Sequence, residues 1–308
     1  MTSELIQPPI LKAGDTVAIV APSGILNNRN KEINQAVTLL KSWGLNTKIG
    51  EHVFDKSGHF AGTDEDRISD LQQAIDDNNV KAIWMARGGY GMVRVIDEID
   101  YSSLKSNPKW IIGYSDITAL HNNLHNIGME SIHAMMCTSM TDDPEEIKTS
   151  INSLKDVLFG NSMSYETEGS SYNKVGEASG QLVGGNLTLL HTMLGSKSSI
   201  NPNGKILFIE EIGEYAYHID RMLMSLKRAG YFKGCEGLIV GHISNVRVNT
   251  TPWGKPMEQL ILDAFKDYDF PILFDFPAGH EDDNRALILG RSIELKVEKD
   301  KGSVIFSD

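Results

Sequence analysis

The chain of 308 residues carries 29 Lys and Arg against 41 Asp and Glu, a net charge of −12, and is 41% hydrophobic and 23% charged. This is the composition of a globular protein of about two domains. The acidic balance, with no basic stripe, argues against nucleic acid or anionic lipid as a partner, so an anionic substrate would have to be held by a few local donors. Cys137 and Cys235 are the only cysteines. They give no disulfide framework and point to a reducing compartment. Met1 to Ile10 has neither the charged nor the apolar region of a signal peptide, and no apolar run approaches the roughly 18 residues of a membrane span. The expected location is the cytoplasm.

The first 140 residues alternate strand and helix signals. Thr16 to Ala21 is a β-rich apolar run ending in Pro22-Ser23-Gly24. Ile33, Val37 and Leu40 then fall at helical spacing up to Trp43-Gly44, and Leu45 to Ile49 reads as a second strand. Thr63-x-x-Asp66 has the form of a capping box and leads into Ile68, Leu71 and Ile75, one apolar helix face. Val80 to Ala86 is a third strand, stopped by Arg87-Gly88-Gly89-Tyr90-Gly91, with a short helix expected over Met92 to Ile99. Lys109 to Gly113 is an apolar strand, Ser115 lies at the bend, and Ile117, Leu120 and Leu124 begin a helix. Ser131 to Met135 completes this series as a strand. Repeated βα units predict a mostly parallel sheet flanked by helices, with ligands beyond the carboxyl ends of the strands.

Pro144 to Phe159 reads as a connecting helix, and the Ser-, Asn- and Gly-rich stretch that follows as a linker. Gly180 to Asn186 opens a second unit. Strands are expected at Lys205 to Glu210, Gly237 to Gly241 and Pro271 to Phe276, and helices at His218 to Arg228 and Met257 to Phe265. Ile293 to Val297 and Val304 to Phe306 form a closing hairpin. The predicted organisation is α/β: an N-terminal domain over 1–160, a linker over 161–175, and a second, smaller α/β domain over 176–308.

Ser115 is the first candidate for chemistry. A serine at a strand–turn–helix junction has its hydroxyl pushed out of the sheet edge beside N–H groups at a helix start, which suits a nucleophile whose intermediate carries an oxyanion. The match to G-x-S-x-G is partial, since Ile117 replaces the second glycine, and a serine at such a turn is often only a helix cap. A serine nucleophile needs a base and an acid that orients it. His242 and His280 both end apolar strands, and the Pro277-Ala278-Gly279 loop presents His280 better. His121 and His125, spaced i,i+4 without an HExxH pattern, read as a helix face. Glu210 and Glu211 close the apolar run Ile206 to Ile209, where carboxylates are rare without a partner. Glu210, the first polar residue, is the better placed. The Asp116 N–H and the Gly88 or Gly89 N–H are candidate oxyanion donors, because glycine lets backbone approach a reacting carbonyl closely. No P-loop, complete dinucleotide fingerprint or paired CxxC is present, and Cys137 reads as a core residue.

Taken in order, several motifs resemble the LD-carboxypeptidases, serine peptidases of murein recycling that include the microcin-C self-immunity peptidases. They are Val17-Ala-Ile-Val-Ala-Pro-Ser-Gly24, Ala61-Gly-Thr-Asp-Glu-Asp-Arg67, Ala86-Arg-Gly-Gly-Tyr-Gly91, Ile112-Gly-Tyr-Ser-Asp-Ile-Thr118 and Gly184-Gly-Asn186. Leu207-Phe-Ile-Glu-Glu-Ile-Gly-Glu214, Ile219-Asp-Arg221, Gly237-Leu-Ile-Val-Gly241 and Phe276-Pro-Ala-Gly-His280 continue the series. The resemblance implies a catalytic Ser115, Glu210 and His280, the active site in a cleft between the two domains, and no metal or organic cofactor. It also implies a homodimer acting on a small peptide in the cytoplasm. Arg87 and Tyr114 are the substrate-binding candidates, Arg87 for a terminal carboxylate. One departure is His133-Ala134-Met135, where relatives often carry H-G-P. Two other readings follow from the same residues. One is a peptidase for aminoacyl-nucleotide analogues, with Trp253 stacking the base. The other is a non-catalytic small-ligand binding protein.

Overall fold

A computed structural model describes residues 5–248 and 250–307, so part of the stretch read above for a signal peptide, residues 1–4, lies outside the described residues. The chain divides into two units, one of residues 1–161 with 285–288 and one of residues 162–284 with 289–308.

In the first unit, strands β1 (Thr16–Val20), β2 (Asn46–Ile49), β3 (Val80–Met85), β4 (Trp110–Gly113) and β5 (Ser131–His133) alternate with helices. The helices are α1 (Asn30–Ser42), α2 (Asp64–Asp76), α3 (Met92–Val95), α4 (Ser102–Ser106), α5 (Thr118–Asn126) and α6 (Lys148–Phe159). The pairs β1–β2, β1–β3, β3–β4 and β4–β5 are all parallel. Parallel strands with helices between them are covered on both faces and so read as near-continuous apolar runs. Accordingly Ala82, Ile83, Trp84, Met85, Ile111 and Ile112 are all buried. The capping box at Thr63 forms as expected, with Thr63 Oγ1 accepting from Asp66 N and Asp66 returning the bond to Thr63 N. Helix α6 starts at Lys148 rather than Pro144, and the helix expected over Met92 to Ile99 is split, a 3-10 turn replacing it from Ile96 to Glu98.

The second unit contains β6 (Ser164–Glu168), β7 (Gly176–Asn186), α7 (Leu187–Thr192), β8 (Lys205–Ile212), α8 (Ala216–Arg228), β9 (Gly237–Ser244), α9 (Met257–Phe265) and β10 (Ile272–Leu273). Strand β11 (Leu287–Leu289) returns to the first sheet, and β12 (Ser292–Val297) and β13 (Lys301–Phe306) close the chain. The first sheet runs β11-β5-β4-β3-β1-β2 and the second β10-β9-β8-β7-β12-β13-β6. In the second, β7 to β10 are parallel, while β12, β13 and β6 add an antiparallel wing. The segment 161–175, expected as a linker, supplies β6 at the edge of that wing. Its Ser-Tyr-Glu-Thr-Glu sequence buries Tyr165 alone, which is what an edge strand with one wet face requires. The strand expected over Pro271 to Phe276 is only Ile272–Leu273, because Asp275 takes a left-handed φ of 58° that ends the extended run. Helix α8 puts Ile219, Met222, Leu223 and Leu226 into the core, as their spacing predicts. No helix among the described residues is long and apolar enough to cross a membrane.

Candidate active site

The first unit positions its candidate nucleophile through the backbone. Strand β4 ends at Gly113, Ser115 takes φ 62°, and a 3-10 turn over Ser115–Ile117 runs into α5. A non-glycine residue in the left-handed region carries roughly 1–3 kcal/mol of strain, which persists only where the surroundings over-determine it. The surroundings here are tight. A Cβ placed on Gly113 would lie 3.0 Å from Ile117 and 3.1 Å from Met85, and one on Gly88 would lie 3.2 Å from the Ser115 Cβ and 3.4 Å from its Oγ. A side chain at position 88 would therefore crowd the serine.

The Asp116 side chain ties the elbow to its neighbours. Its Oδ2 accepts from Ser23 Oγ at 2.6 Å, in the loop after β1, and from Met92 N at 2.8 Å, at the start of α3. Gly24 N in turn donates to Gly88 O at 2.9 Å. The three strand-end loops after β1, β3 and β4 are thus joined by hydrogen bonds among buried groups. Burial raises the Asp116 pKa, against the lowering effect of the bonds from Ser23 and Met92. Beside the elbow, the Tyr114 ring packs edge-on against His133, with centroids 5.8 Å apart. Arg87 is half-buried, and its Nη1 donates to Ile25 O. That bond uses one of five guanidinium donors.

His121 lies on the packed face of α5. It is buried, with Nε2 against Gly113 O and Nδ1 against Ser131 Oγ, both at 2.9 Å. A carbonyl only accepts, so Nε2 carries the proton and Nδ1 receives the serine hydroxyl: a neutral imidazole bracing the end of β4. Burial lowers its pKa to about 4. Cys137 is buried as a core residue. Among the described residues, one group of metal-type side chains lies close together, His52, Asp55 and Asp66, with ligand atoms within 4.8 Å. Its members already bond internally, His52 to Asp55 at 2.8 Å and Asp66 in the capping box.

The second unit builds its pair from side chains. His280 Nδ1 lies 2.7 Å from Glu210 Oε2, with Glu210 fully buried and His280 mostly so. A carboxylate on Nδ1 fixes the proton there and leaves Nε2 as the basic nitrogen. Burial opposes charge on the ring, but the Glu210 carboxylate, by its charge and its hydrogen bond, outweighs it and raises the His280 pKa above the ordinary 6.5. Gly279 has φ 130°, and a Cβ there would lie 3.1 Å from Glu210 Cβ and 3.2 Å from His242 Cβ, so the loop closes onto the acid only with glycine. Asn284 Oδ1 holds the loop by accepting from Gly279 N at 3.0 Å.

The two neighbouring glutamates are separated by geometry. The register of β8 against β9 shifts between Ile209 and Glu211, an irregularity of the kind that re-aims a strand side chain. Glu210 reaches His280, while Glu211 accepts from Thr188 N (2.8 Å), Thr188 Oγ1 (2.7 Å), Asn186 Nδ2 (3.1 Å) and Ile212 N (2.8 Å). Glu211 therefore secures the start of α7. Burial raises its pKa despite these bonds. His242 is half-buried, burial lowers its pKa, and its Nδ1 has no hydrogen-bond partner among the described residues. Nothing in the sequence marks the shifted register or the clamp made by Asp116. The signal for Glu210 is its place at the end of an apolar run.

Comparison with known proteins shows the family. Residues 17–134 match the family described as LD-carboxypeptidase N-terminal domain, and residues 179–295 match LD-carboxypeptidase C-terminal domain. The chain is 34% identical to the probable murein peptide carboxypeptidase of Bacillus subtilis, over 92% of this chain and 89% of that protein. Its structure is similar to that of muramoyltetrapeptide carboxypeptidase from Oxalobacter formigenes, with a TM-score of 0.87 and 27% identity, covering 95% of this chain and 99% of that one. It also shares the fold of the microcin C7 self-immunity protein, with a TM-score of 0.88 at 20% identity over 99% of each chain. The chain belongs to the LD-carboxypeptidase family and is a serine-type carboxypeptidase.

Proposed function

We propose that this carboxypeptidase removes the terminal D-alanine from murein tetrapeptides through a triad of Ser115, His280 and Glu210, acting in the cytoplasm as a homodimer. The observation that carries the reading is the 2.7 Å contact between His280 Nδ1 and the buried Glu210 carboxylate, and the strained serine elbow offers the nucleophile. His280 Nε2 takes the Ser115 proton as Oγ attacks the carbonyl before D-alanine. The Asp116 N–H and the Gly88 or Gly89 N–H donate to the oxyanion. Its collapse breaks the C–N bond, and the proton held by His280 passes to the leaving amine. Water then attacks the acyl-serine with His280 again as base, releasing the tripeptide and restoring the hydroxyl. Glu210 keeps the imidazole in the productive tautomer and stabilises its charged form. No step needs a metal or organic cofactor. Arg87, with donors to spare, binds the terminal carboxylate, and Tyr114 forms the adjoining wall.

The test is mass spectrometry of products from L,D- and D,D-configured tetrapeptides. Release of D-alanine from the L,D substrate alone is expected. Cleavage confined to an aminoacyl-nucleotide analogue, or no covalent labelling of Ser115 by a fluorophosphonate, overturns the reading. His280→Ala should abolish burst acylation while His242→Ala retains it. The homodimer is checked by sedimentation velocity.

A further inference from the structure

Arg67 closes the Ala61 to Arg67 motif and lies in the first turn of α2, where its side chain is fully buried although it takes no part in the proposed triad. A buried guanidinium is costly unless its donors are met, and an apolar side chain of similar size would fill the same space without that cost. The use of an arginine here lies in what it holds. Its Nη1 donates to Pro22 O at 2.6 Å, in the loop after β1, and to Gly91 O at 3.1 Å, at the end of the loop after β3. Its Nη2 pairs with the Asp64 carboxylate, which also takes Arg94 Nη2 at 2.7 Å. The Phe60 ring covers the guanidinium, with its centroid 4.7 Å away.

Both carbonyl acceptors belong to loops that Asp116 holds from the other end. Gly91 O and Met92 N are the two poles of one peptide group. Its oxygen accepts from Arg67, and its N–H donates to Asp116 Oδ2 at 2.8 Å. The C=O and N–H of a trans peptide point in opposite directions, so this group is gripped between a cation and a carboxylate. The loop after β1 is gripped in the same way, with Pro22 O on Arg67 and Ser23 Oγ donating to Asp116 Oδ2 at 2.6 Å. Bonds in such a chain polarise and strengthen one another. The crossing leaves no slack: Gly91 has φ 146°, and a Cβ on it would lie 2.7 Å from Arg67 Nη1 and 3.1 Å from Ser23 Cα. The Arg67 charge also opposes the rise that burial imposes on the Asp116 pKa, favouring the ionised carboxylate that accepts both bonds.

We infer that Arg67 is a positioning residue for the reaction. Acting through the Pro22 carbonyl and the 91–92 peptide, it fixes the Asp116 carboxylate, and with it the Asp116 N–H and the Gly88–Gly89 turn that meet the oxyanion. The oxyanion role of those N–H groups rests on the function proposed above. The oxyanion develops only on the way through the transition state, so loosened donors lower kcat and leave KM unchanged.

The experiment compares wild type with Arg67→Met, Arg67→Lys, Asp116→Asn and the Arg67→Met/Asp116→Asn double variant. It reads the rate of Ser115 labelling by a fluorophosphonate, then kcat and KM for the L,D tetrapeptide. Arg67→Met should slow labelling and lower kcat by about 10²-fold, the cost of a displacement of about 1 Å in a reacting geometry, with KM within about twofold of wild type. Arg67→Lys keeps the charge with fewer donors and should recover about tenfold of that loss. In the Asp116→Asn background Arg67→Met should cost less than about tenfold, because the two residues act as one clamp. The full loss in both backgrounds, or a raised KM with kcat kept, overturns the inference. Should Arg67→Met fail to fold by circular dichroism, Arg67→Lys decides: a lower kcat at unchanged KM supports the inference, and wild-type values overturn it. If wild type labels at Ser115 but leaves the tetrapeptide intact, the proposed function fails while the labelling rates still decide the role of Arg67. If wild type does not label, amide exchange decides. Faster exchange of the Met92 and Asp116 N–H groups in Arg67→Lys supports the clamp, and unchanged exchange overturns it.

Discussion

The two units hold their candidate reactive groups by different physical means. In the first, Ser115 is placed by main chain: a left-handed φ of 62°, a glycine at 88 that a Cβ would close, and an Asp116 carboxylate bonding the loops around it. In the second, His280 is placed by a charged partner, a buried carboxylate 2.7 Å away. A hydroxyl has little charge for a neighbour to grip, so its direction is set by the peptide that bears it. An imidazole has two distinct nitrogens, and a carboxylate on one decides what the other does. The first arrangement stores strain and the second stores electrostatic free energy. The two should therefore fail differently when altered.

The largest effect tests whether the backbone-held residue does the chemistry. Ser115→Ala should fold normally by circular dichroism and lose about 10⁴ or more in kcat/KM. Turnover within about tenfold of wild type would break the comparison at its first term. Next, Glu210→Gln should lower kcat by about 10³, whereas Glu211→Gln should keep kcat within about tenfold and instead lose about 1–3 kcal/mol of stability in urea unfolding, since its buried bonds to Thr188 and Asn186 are disturbed. The same pair has a pH signature. His280 must be neutral to accept a proton, and Glu210 raises its pKa above 6.5, so activity falls as pH drops through that raised value. Replacing the carboxylate removes the stabilisation of the charged ring, and the acid limb of the Glu210→Gln profile should move to lower pH.

A smaller effect concerns the brace of the serine elbow. His121 is held neutral with a pKa of about 4 against 6.5 for the free side chain. Below pH 6.5 the unfolded chain takes up a proton that the folded one refuses until about pH 4, so stability falls as pH is lowered through that window. By linkage the loss approaches about 3 kcal/mol. A His121→Gln variant should lose this slope in urea melts at pH 7 and pH 4.5, and an unchanged slope would show that the group does not titrate as placed. The smallest effect is a gain. Ser115→Gly, inactive, should be more stable than Ser115→Ala by about 1–2 kcal/mol, because glycine takes a φ of 62° without strain. Equal stability would mean that the elbow is relaxed.

Much of the first unit was legible because parallel, doubly covered strands leave continuous apolar runs. Trp110 to Gly113, with a helical pattern from Ile117, could hardly be read otherwise. Edges were less visible. The strand Ser164–Glu168 buries one side chain, too few to rise above a polar loop, and β10 is cut short by the φ of Asp275, which no residue pattern announces. The site was legible by type and not by partner. Glu210 and Glu211 are both buried, so composition treats them alike. The strand's alternation sends them to opposite faces, one toward His280 and the other to Thr188, and which face holds which partner depends on residues distant in sequence. Arg87 and Tyr114 were named as substrate-binding candidates, but their neighbours Ile25 and His133 are distant in sequence and could not be inferred from spacing.

Strand β11 has a consequence for how this molecule can be taken apart. Leu287–Leu289 pairs beside β5 in the first sheet, and Ala286 N bonds to Ser153 Oγ on α6 at 2.9 Å, although the preceding 120 residues belong to the other unit. A fragment ending at Asn161 would therefore expose a bare hydrogen-bonding edge and invite self-association. Dissection by simple truncation should therefore yield aggregates. Grafting the Arg285–Leu289 segment back through a short loop is the change that should make the fragment stand alone.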